Sequence, residues 1–332
     1  MNSIKLITNE KKILITGGLG LIGKSLTQIL LKDYKVIIID KTAQIKRHKN
    51  YIKLLNTKGV KFITCDIINK KKLVKTFDKI DCVVHLAALL GVKNTENNKN
   101  LCWKINTEGT QNVVDACLAK KVKKLIFSSS SEVYGEQITK KKINEKNPLL
   151  GLNIYALSKI AAENYIKIML RESNTKYTIL RFFNTYGEGQ VAQFFISKLC
   201  YSAINNKLFV INGNGKQVRS YGHSNDVVLG IKKCIEKSVS NNKIYNIGNS
   251  NEVYSLKKVV SMASQLSKIK IKILFNKRFK KGDRIKKREI FQRICDIKKA
   301  KKEISYDPKI SLKEGLKKVL DQKIIYRNWP HA

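Results

Sequence analysis

The sequence is short of acidic residues, of proline and of long apolar runs. Among its 332 residues only 25 are Asp or Glu and only three are proline. Each unbroken apolar run is a few residues long, whereas a membrane-spanning helix needs about 20 apolar residues. Asn2 and Ser3 are polar, and the first apolar segment, at 13–22, is rich in glycine, so we recognise no secretory signal. We therefore predict no membrane segment and no secretion.

The cysteines do not fall into a paired pattern. There are seven, an odd number, scattered along the chain without a Cys-x-x-Cys pair. Disulfide frameworks need paired cysteines, and structural zinc sites need closely spaced ones. We therefore predict no disulfide scaffold, no metal site and a reducing, cytoplasmic location.

Positive charge is in large excess, with 66 Lys or Arg and a formal net charge of +41. Only nine of these residues are arginine, whose planar fork binds phosphate and guanine through two bonds at once. The basic residues occur in almost every segment and are not interleaved with aromatic residues as in a stacking platform. We predict a basic solvated surface that attracts anions in a salt-dependent way, and no specific nucleic-acid partner.

Strand-like and helix-like segments alternate through the first half of the chain. Apolar, β-branched runs of strand length cover 12–16, 35–40, 60–64, 82–86, 123–128, 177–183 and 243–247. Helical spacing of apolar residues covers 21–31, 104–120 and 155–171. This alternation predicts an α/β fold with a doubly wound Rossmann parallel sheet. After about residue 183 the rhythm loosens, which predicts a smaller α/β C-terminal lobe with a last helix at 312–321.

A glycine triad follows the first predicted strand. Gly17 permits a tight turn, Gly20 lets the backbone approach a pyrophosphate, and Gly23 lets the helix pack closely on the strand. The N–H groups at the start of that helix, together with its dipole, bind phosphate. Asp40 ends the next strand 20 residues after Gly20, where it can accept the ribose hydroxyls and repel a 2′-phosphate. The pattern predicts a dinucleotide site that favours NAD over NADP.

A tyrosine and a lysine stand four residues apart in a periodic helix. The spacing places Tyr155 and Lys159 on one helix face, where an ammonium lowers the pKa of a phenol and prepares it to take a hydroxyl proton. Upstream, a run of serines ending near Ser130 and Glu132 lies at the carboxyl end of a predicted strand. Ligands bind at that edge of a parallel sheet, so these hydroxyl groups are candidates for substrate contact.

Taken together, the motifs resemble the extended short-chain dehydrogenase/reductase family, in its NAD-dependent nucleotide-sugar epimerase/dehydratase branch. The resemblance runs from about residue 12 to about residue 320. The matching segments are the glycine motif at 16–23, Cys-Asp-Ile at 65–67, His-Leu-Ala-Ala at 85–88, Asn-Thr-Glu-Gly-Thr at 106–110, the serine run, Tyr155 with Lys159, 180–187 and 217–221.

The resemblance implies a role for each matching residue. Tyr155 corresponds to the catalytic base, Lys159 to its electrostatic partner and ribose ligand, and Ser130 to the hydroxyl that bonds the reacting sugar oxygen. Asn184 and Arg219 match contacts to the sugar-nucleotide diphosphate. The positions implied on the cofactor side are Gly17, Gly20, Leu21, Ile22, Gly23, Asp40, Asp66, Ile67, Leu86, Ala87, Ala88, Asn106, Lys159 and Phe183.

One departure concerns the diphosphate site. The family often has an arginine three residues before the aspartate of a Gly-Asp pair, and here that position is Lys280. Arg278 and Arg284 are the nearby substitutes.

The resemblance also implies an architecture. We expect an NAD-binding Rossmann domain at 1–183 that is rejoined by about 226–248, with a substrate-binding lobe made of 184–225 and 249–332. Members of the family are commonly homodimers, which would pair the helices at 104–120 and 155–171 into a four-helix bundle.

Three reactions share the same first step, in which Tyr155 takes the proton of the sugar 4-hydroxyl and the C4 hydride moves to NAD+. Epimerases then rotate the 4-keto sugar, decarboxylases release CO2 from a C6 carboxylate, and 4,6-dehydratases expel the C6 hydroxyl. Glu132 is a further candidate catalytic residue. The Ser-Glu-Val-Tyr-Gly segment that contains it closely resembles the corresponding segment of decarboxylases. Dehydratases typically present Thr-Asp-Glu, and the middle position here is Ser131.

We favour 4-epimerisation of a UDP-sugar over decarboxylation of UDP-glucuronate or dehydration. The non-enzyme alternative is an NAD-responsive Rossmann binding protein.

Overall fold

The computed structural model describes residues 11–138, 141–277 and 289–322. The strands in these ranges are β1 Lys12–Thr16, β2 Lys35–Asp40, β3 Lys61–Thr64, β4 Cys82–His85, β5 Lys124–Ser130, β6 Lys176–Phe182, β7 Thr185–Tyr186, β8 Phe209–Asn212, β9 Val218–Ser220, β10 Gly222–His223, β11 Lys243–Ile247, β12 Val253–Ser255, β13 Ile273–Asn276 and β14 Gln292–Arg293.

The α-helices of the same ranges are α1 Leu21–Leu30, α2 Thr42–Arg47, α3 Lys49–Asn56, α4 Lys70–Thr76, α5 Val92–Asn97, α6 Lys99–Ala119, α7 Ile154–Met169, α8 Phe195–Ile204, α9 Ser224–Glu236, α10 Leu256–Ser267, α11 Lys298–Ile304 and α12 Leu312–Asp321. Two short 3₁₀ helices cover Ser131–Tyr134 and Ser238–Ser240.

Seven parallel strands form the central sheet in the order β11-β6-β5-β4-β1-β2-β3. The predicted doubly wound α/β fold of Rossmann type is confirmed. The strand order reverses between β1 and β4, so the loops after these two strands diverge to opposite faces and leave a crevice at the carboxyl edge. The glycine turn and the His-Leu-Ala-Ala segment both follow strands at this crevice.

The sheet is buried on both faces, as the continuous apolar runs predict. On β1, Ile13 and Ile15 enter one apolar layer with α1 and α9, whereas Leu14 enters the opposite layer with α6 and α7. All seven cysteines are buried, unpaired thiols. The side chains on alternate sides of each strand therefore hold helices against both faces of the sheet.

Helices α6 and α7 differ slightly from their predicted bounds. Helix α6 begins at Lys99 rather than at 104, and in the added turn Cys102 is fully buried whereas its neighbours Leu101 and Trp103 are exposed. Helix α7 begins one residue early because the side chain of Asn153 accepts a hydrogen bond from the Ala156 N–H at 2.8 Å and caps it.

The chain after β6 builds three small sheets, β10-β7, β12-β9-β14 and β13-β8, around helices α8, α10 and α12. It returns to the central sheet as β11, which pairs with β6. Strand β14 pairs with β9, and its Arg293 reaches Glu132 just after the carboxyl end of β5.

Two neighbouring lysines allow a test of how the sheet is closed at its amino end. The buried ammonium of Lys124 donates to the Cys234 carbonyl at 2.6 Å and to the Ser240 hydroxyl at 2.7 Å, beyond the end of α9. We expect Lys124→Met to lower the free energy of unfolding by about 2 kcal/mol, because buried carbonyls lose a donor. Lys123→Met, at an exposed ion pair with Asp81, serves as the matched control and should leave urea denaturation unchanged. Equal urea midpoints for the two variants would contradict this account.

Candidate active site

The turn between β1 and α1 is shaped by three close approaches. Gly17 has φ +69°, and a Cβ there would lie 2.7 Å from the backbone of Ala87. At Gly23 a Cβ would lie 2.5 Å from the backbone of Gly18, so this glycine packs the helix on the turn itself rather than on the strand. At Gly20 the nearest atom to a Cβ is the Gly17 carbonyl oxygen at 3.3 Å. The turn thus holds the start of α1 against β1 and against the loop after β4.

Asp40 lies beside this turn, where the sequence places it. Its Oδ2 accepts a hydrogen bond from the Leu19 N–H at 3.1 Å, and its Oδ1 accepts one from the Lys41 N–H at 2.9 Å. Burial raises the pKa of Asp40, and these two backbone hydrogen bonds oppose the rise. The carboxylate therefore orders the glycine turn in addition to facing the crevice. Leu21 and Ile22, half-buried, form the first residues of α1, whose first N–H groups have no partner within the helix.

The other cofactor-side residues of the sequence analysis lie along the same edge. Asp66 and Ile67 follow β3, and Ile67 is buried against Gly109 of α6. Leu86, Ala87 and Ala88 follow β4, and Phe183 follows β6.

Asn106 is buried on α6 and holds the loop after β4. Its Oδ1 accepts from the Leu89 N–H at 2.8 Å, and its Nδ2 donates to the Leu89 carbonyl at 3.1 Å and to Ser158 Oγ at 3.1 Å. Because Ser158 lies in α7, this side chain joins the cofactor-side loop to the helix that carries Tyr155.

A buried histidine connects the same elements. His85 Nδ1 lies 2.7 Å from Thr16 Oγ1, and Nε2 lies 3.1 Å from Thr110 Oγ1. The Thr110 hydroxyl in turn donates to the Asn106 carbonyl at 2.7 Å. Burial lowers the pKa of His85 to about 3, so the ring stays neutral and serves to link β1, β4 and α6. The sequence analysis gave it no role of its own.

The carboxyl end of β5 contacts the first turns of α7. Lys159 is buried, and its Nζ donates to the Ser128 carbonyl at 2.8 Å. The Tyr155 phenol forms a hydrogen bond with Ser130. Ser130 Oγ also accepts from the Glu132 N–H at 3.2 Å. The structure therefore brings together Tyr155, Lys159 and Ser130 at the carboxyl edge of the sheet.

The electrostatics of this group differ from the sequence-based expectation. Burial raises the pKa of the Tyr155 phenol, and the hydrogen bond with Ser130 offsets part of that rise. Burial also lowers the pKa of Lys159 from 10.5 to about 8, against the opposing effects of Cys102 and Glu163. The predicted lowering of the phenol pKa is thus absent in the protein alone, where Lys159 Nζ lies 6.0 Å from the Tyr155 ring centroid and donates to a carbonyl.

Glu132 forms a buried network that the sequence did not reveal. Its Oε1 pairs with Arg293 Nη1 at 2.5 Å, and its Oε2 accepts from Asn153 Nδ2 at 3.2 Å. Arg293 Nη2 donates to Asn184 Oδ1 at 3.0 Å, and Arg293 Nε has no hydrogen-bond partner among the described residues. The charges of Glu132 and Arg293 both act on the Tyr155 phenol.

Arg219 lies beside this network, and its guanidinium is bound by backbone carbonyls and by Glu289. Its guanidinium donates to the carbonyls of Val218 and Ile290 and pairs with Glu289 at 3.1 Å. Asn184, with φ +31°, donates to the Ser220 carbonyl at 2.8 Å. The three candidates for the other side of the diphosphate site, Lys280, Arg278 and Arg284, lie outside the described residues.

Sequence reasoning missed Arg293, Asn153 and Glu163. Arg293 lies in a two-residue strand with no motif around it, so no local signal marks it. Asn153 was recognisable as a helix N-cap directly before an apolar periodic segment. Glu163 follows Lys159 by four residues and therefore shares its helix face.

The described residues contain neither a cluster of metal ligands nor a membrane-spanning helix. No group of three or more His, Cys, Asp or Glu in these ranges is arranged to hold a metal ion. No helix in the described part of the chain has the length and hydropathy required to cross a membrane.

Two glycines with positive φ permit a matched test of the turn. We expect Gly17→Ala to weaken NAD+ binding at least tenfold, because the new methyl group collides with the Ala87 backbone and displaces the turn. Gly59→Ala carries similar backbone strain at φ +78° but meets nothing within 4 Å, so its NAD+ affinity should equal that of the wild type. Isothermal titration calorimetry measures both. Equal affinities for the two variants would show that the turn does not shape the nucleotide site.

Comparison with known proteins agrees with this geometry. The NAD dependent epimerase/dehydratase family model matches residues 13–248. The chain is similar to a putative UDP-glucose 4-epimerase of Methanocaldococcus jannaschii, with 33% identity over 93% of this chain and 97% of that protein. It is also similar to a UDP-N-acetyl-alpha-D-glucosaminuronate decarboxylase of Bacillus cytotoxicus, with 32% identity over 94% of this chain and 97% of that protein.

Among solved structures, the chain is similar to the UDP-glucuronic acid 4-epimerase of Bacillus cereus in complex with UDP-glucuronic acid and NAD. The TM-score is 0.85 and the identity 29%, and the match covers 94% of this chain and 99% of that one. The sheet, the glycine turn and the matched residues lead to one conclusion: the chain belongs to the NAD-dependent epimerase/dehydratase family.

Proposed function

We propose that this enzyme epimerises a UDP-sugar at C4 through a transient 4-keto intermediate. The observation that carries the proposal is the meeting of Tyr155, Lys159 and Ser130 at the crevice beside the glycine turn. Similarity to a putative UDP-glucose 4-epimerase and to a UDP-glucuronic acid 4-epimerase supports the choice of reaction.

The residues divide the proton chemistry between them. Tyr155, as phenolate, accepts the proton of the sugar 4-hydroxyl and later returns it to the re-reduced oxygen. Ser130 donates a hydrogen bond to that oxygen and positions it near the phenol. NAD+, when bound, would supply a reversible acceptor for the C4 hydride, so no net oxidant would be consumed. Inversion at C4 requires the 4-keto sugar to present its opposite face before its carbonyl is reduced again.

Lys159 counteracts the burial of the phenol. Burial raises the pKa of Tyr155, so the phenolate needs a positive neighbour to exist near neutral pH. An ammonium and the positive charge of oxidised NAD+ both stabilise a phenolate. We propose that Lys159 also binds the ribose of NAD, as the family resemblance implies.

The cofactor side takes its shape from the turn and the loops after β2, β3, β4 and β6. We propose that these segments bind the dinucleotide through Gly17, Gly20, Leu21, Ile22, Gly23, Asp40, Asp66, Ile67, Leu86, Ala87, Ala88, Asn106, Lys159 and Phe183. On the opposite side, Asn184 and Arg219 contact the diphosphate after exchanging some of their present partners. This division assigns 1–183 and 226–248 to the nucleotide domain and 184–225 and 249–332 to the substrate lobe.

A second candidate reaction is decarboxylation of UDP-glucuronate. The observation that favours it is the buried guanidinium of Arg293, which is bound to Glu132 and close enough to act on Tyr155. A guanidinium can form a bidentate pair with a sugar carboxylate at C6. Similarity to a decarboxylase of Bacillus cytotoxicus supports the same candidate.

The reaction is tested with the purified, NAD-loaded protein and three substrates. We expect epimer formation from UDP-glucose, UDP-N-acetylglucosamine or UDP-glucuronate, followed by NMR of the sugar anomeric protons. Tyr155→Phe should lower turnover at least 10³-fold while NAD+ affinity stays within about twofold, because the substitution removes only the hydroxyl group that exchanges the proton and keeps the ring. The half-buried Tyr34, just before β2 at the amino edge of the sheet and therefore opposite the site, provides the control, since Tyr34→Phe should leave turnover unchanged.

The products separate the alternatives. Release of CO2 and a UDP-pentose from UDP-glucuronate would assign the decarboxylation. Absence of turnover with UDP-, GDP- and dTDP-sugars would leave an NAD-responsive binding protein. Retention on DNA at physiological salt would point instead to a polyanion partner.

We propose that the chain forms a homodimer through α6 and α7. Trp103 on α6 and Leu157 on α7 are 42% and 47% exposed, and Leu101 on α6 is exposed as well. The two helices pack against each other, so these side chains lie on adjacent outer surfaces. A second copy related by a two-fold axis would cover them in a four-helix bundle. The seven unpaired thiols support a cytoplasmic location.

The dimer is tested with two exposed leucines of similar exposure. Leu157→Glu places a charge in the proposed interface and should convert the dimer to a monomer in light scattering after size exclusion. Leu229→Glu on α9, at 45% exposure, lies away from α6 and α7 and should leave the mass unchanged. A monomeric wild type would refute the proposed bundle.

A further inference from the structure

The carboxylate of Glu163 is fully buried directly behind the proposed catalytic residues. It lies on α7 one helical turn after Lys159, on the face that packs against the sheet. A carboxylate without water needs hydrogen bonds and an opposite charge to remain ionised. Its partners therefore show what the protein uses it for.

Two neighbouring strands supply those partners. Ser129 Oγ of β5 donates to Glu163 Oε1 at 2.5 Å. Arg181 of β6 donates from Nε to Oε1 at 3.0 Å and from Nη2 to Oε2 at 2.6 Å, which makes a bidentate ion pair. The carboxylate thus attaches α7 to both strands.

Arg181 is itself fixed at its other end. Its Nη1 donates to the Tyr134 hydroxyl at 2.9 Å, and that hydroxyl donates to Asn246 Oδ1 on β11 at 2.7 Å. The guanidinium also lies 4.9 Å from the Tyr134 ring centroid. The position of Glu163 is consequently set by three strands and not by one flexible contact.

The contacts between β5 and α7 follow one another along the strand. Lys159 donates to the carbonyl of Ser128, Glu163 accepts from the next residue, Ser129, and Tyr155 bonds to the one after that, Ser130. A shift of the strand at Ser129 would therefore displace the partners of Tyr155 and Lys159 together.

The surroundings of Lys159 contain few charges. His85 on β4 is neutral, Cys102 on α6 is a buried thiol, and β5 presents only the Ser128 carbonyl and the Phe127 ring. On its own helix, Tyr155 and Glu163 face it, and Arg181 on β6 is held in the ion pair. Burial lowers the pKa of Lys159 to about 8, and Glu163 is one of the two groups that oppose this fall.

We propose that Glu163 is a positioning residue of the active site, which sets α7 in register with β5 and keeps the Lys159 side chain an ammonium. The inference rests on the proposed roles of Tyr155 and Lys159. It assigns to one carboxylate both the alignment of the proposed base and the charge of its partner.

The test is the pH dependence of kcat/KM in the NAD-loaded Glu163→Gln variant. Loss of the carboxylate lowers the pKa of Lys159 further, so the ammonium is lost at lower pH. The alkaline limb of the profile should move to lower pH by about one unit, because a neighbouring charge shifts a pKa by about that much. At pH 8, close to the pKa of Lys159 in the wild type, that shift should lower kcat/KM about fivefold.

Three variants separate charge from position. Glu163→Asp keeps the charge and should restore the alkaline limb while kcat stays reduced. Ser129→Ala removes a hydrogen bond without changing charge and should lower kcat with an unshifted profile. Glu172→Gln removes an exposed carboxylate just beyond α7 and should behave as the wild type.

A double variant is needed if Glu163→Gln fails to fold because the buried Arg181 guanidinium has lost its ion-pair partner. Glu163→Leu with Arg181→Met replaces the whole ion pair by apolar side chains, a change that proteins often tolerate. Its profile should move in the same direction as that of Glu163→Gln. An alkaline limb that superimposes on the wild type in either folded variant would overturn the proposal.

A substrate-free measurement distinguishes this inference from the proposed function. The NMR shift of a ¹³C-labelled Lys159 side chain, assigned by comparison with Lys159→Arg, reports the titration of the ammonium directly. Glu163→Gln should move that titration to lower pH, since the carboxylate that favours the ammonium is lost. An unchanged titration refutes the role of Glu163, whereas a wild type that turns over no sugar nucleotide counts against the proposed function alone.

Discussion

The burial of one ammonium group constrains the whole carboxyl edge of the sheet. Lys159 is 2% exposed, and its Nζ donates a hydrogen bond to the carbonyl of Ser128. An ammonium in such a place costs free energy unless the groups around it are fixed in orientation. The parallel strands, the capped start of α7 and the Glu163 carboxylate supply that fixed surrounding. The proposed base, Tyr155, inherits its position from the same helix.

Charge in this protein is therefore used in two different ways. Most of its lysines lie at the surface, where water solvates them and salt screens them. Lys124 and Lys159 are buried, and each is held by carbonyl oxygens rather than by a direct carboxylate contact. The buried arginines are instead paired with glutamates, as Arg181 is with Glu163 and Arg293 with Glu132. A planar guanidinium suits such two-pronged pairing, whereas an ammonium suits a cluster of carbonyls.

Much of the fold could be predicted because its signals are local. The strands at 12–16, 35–40 and 243–247 and the helix at 312–321 have the bounds that their apolar patterns indicate. The glycine turn and the Tyr155–Lys159 spacing were equally visible, since each depends on residues close in sequence. Glu132 was also a candidate, but its pairing with Arg293 was not visible, because the two residues lie 161 positions apart and meet only after β14 adds to β9. The direction of the Tyr155 pKa shift was missed for a related reason: burial is a property of the assembled fold.

The buried cysteine thiols allow local opening of the structure to be measured by alkylation. Cys82 and Cys117 lie in the layers around the central sheet, whereas Cys200 lies in the separate apolar cluster of the C-terminal region. An alkylating reagent reaches such a thiol only when the structure around it opens. The rate of labelling at each cysteine therefore measures the free energy of opening of its own region. The chain can in this way reveal whether nucleotide binding tightens the sheet, the C-terminal cluster or both, without an introduced probe.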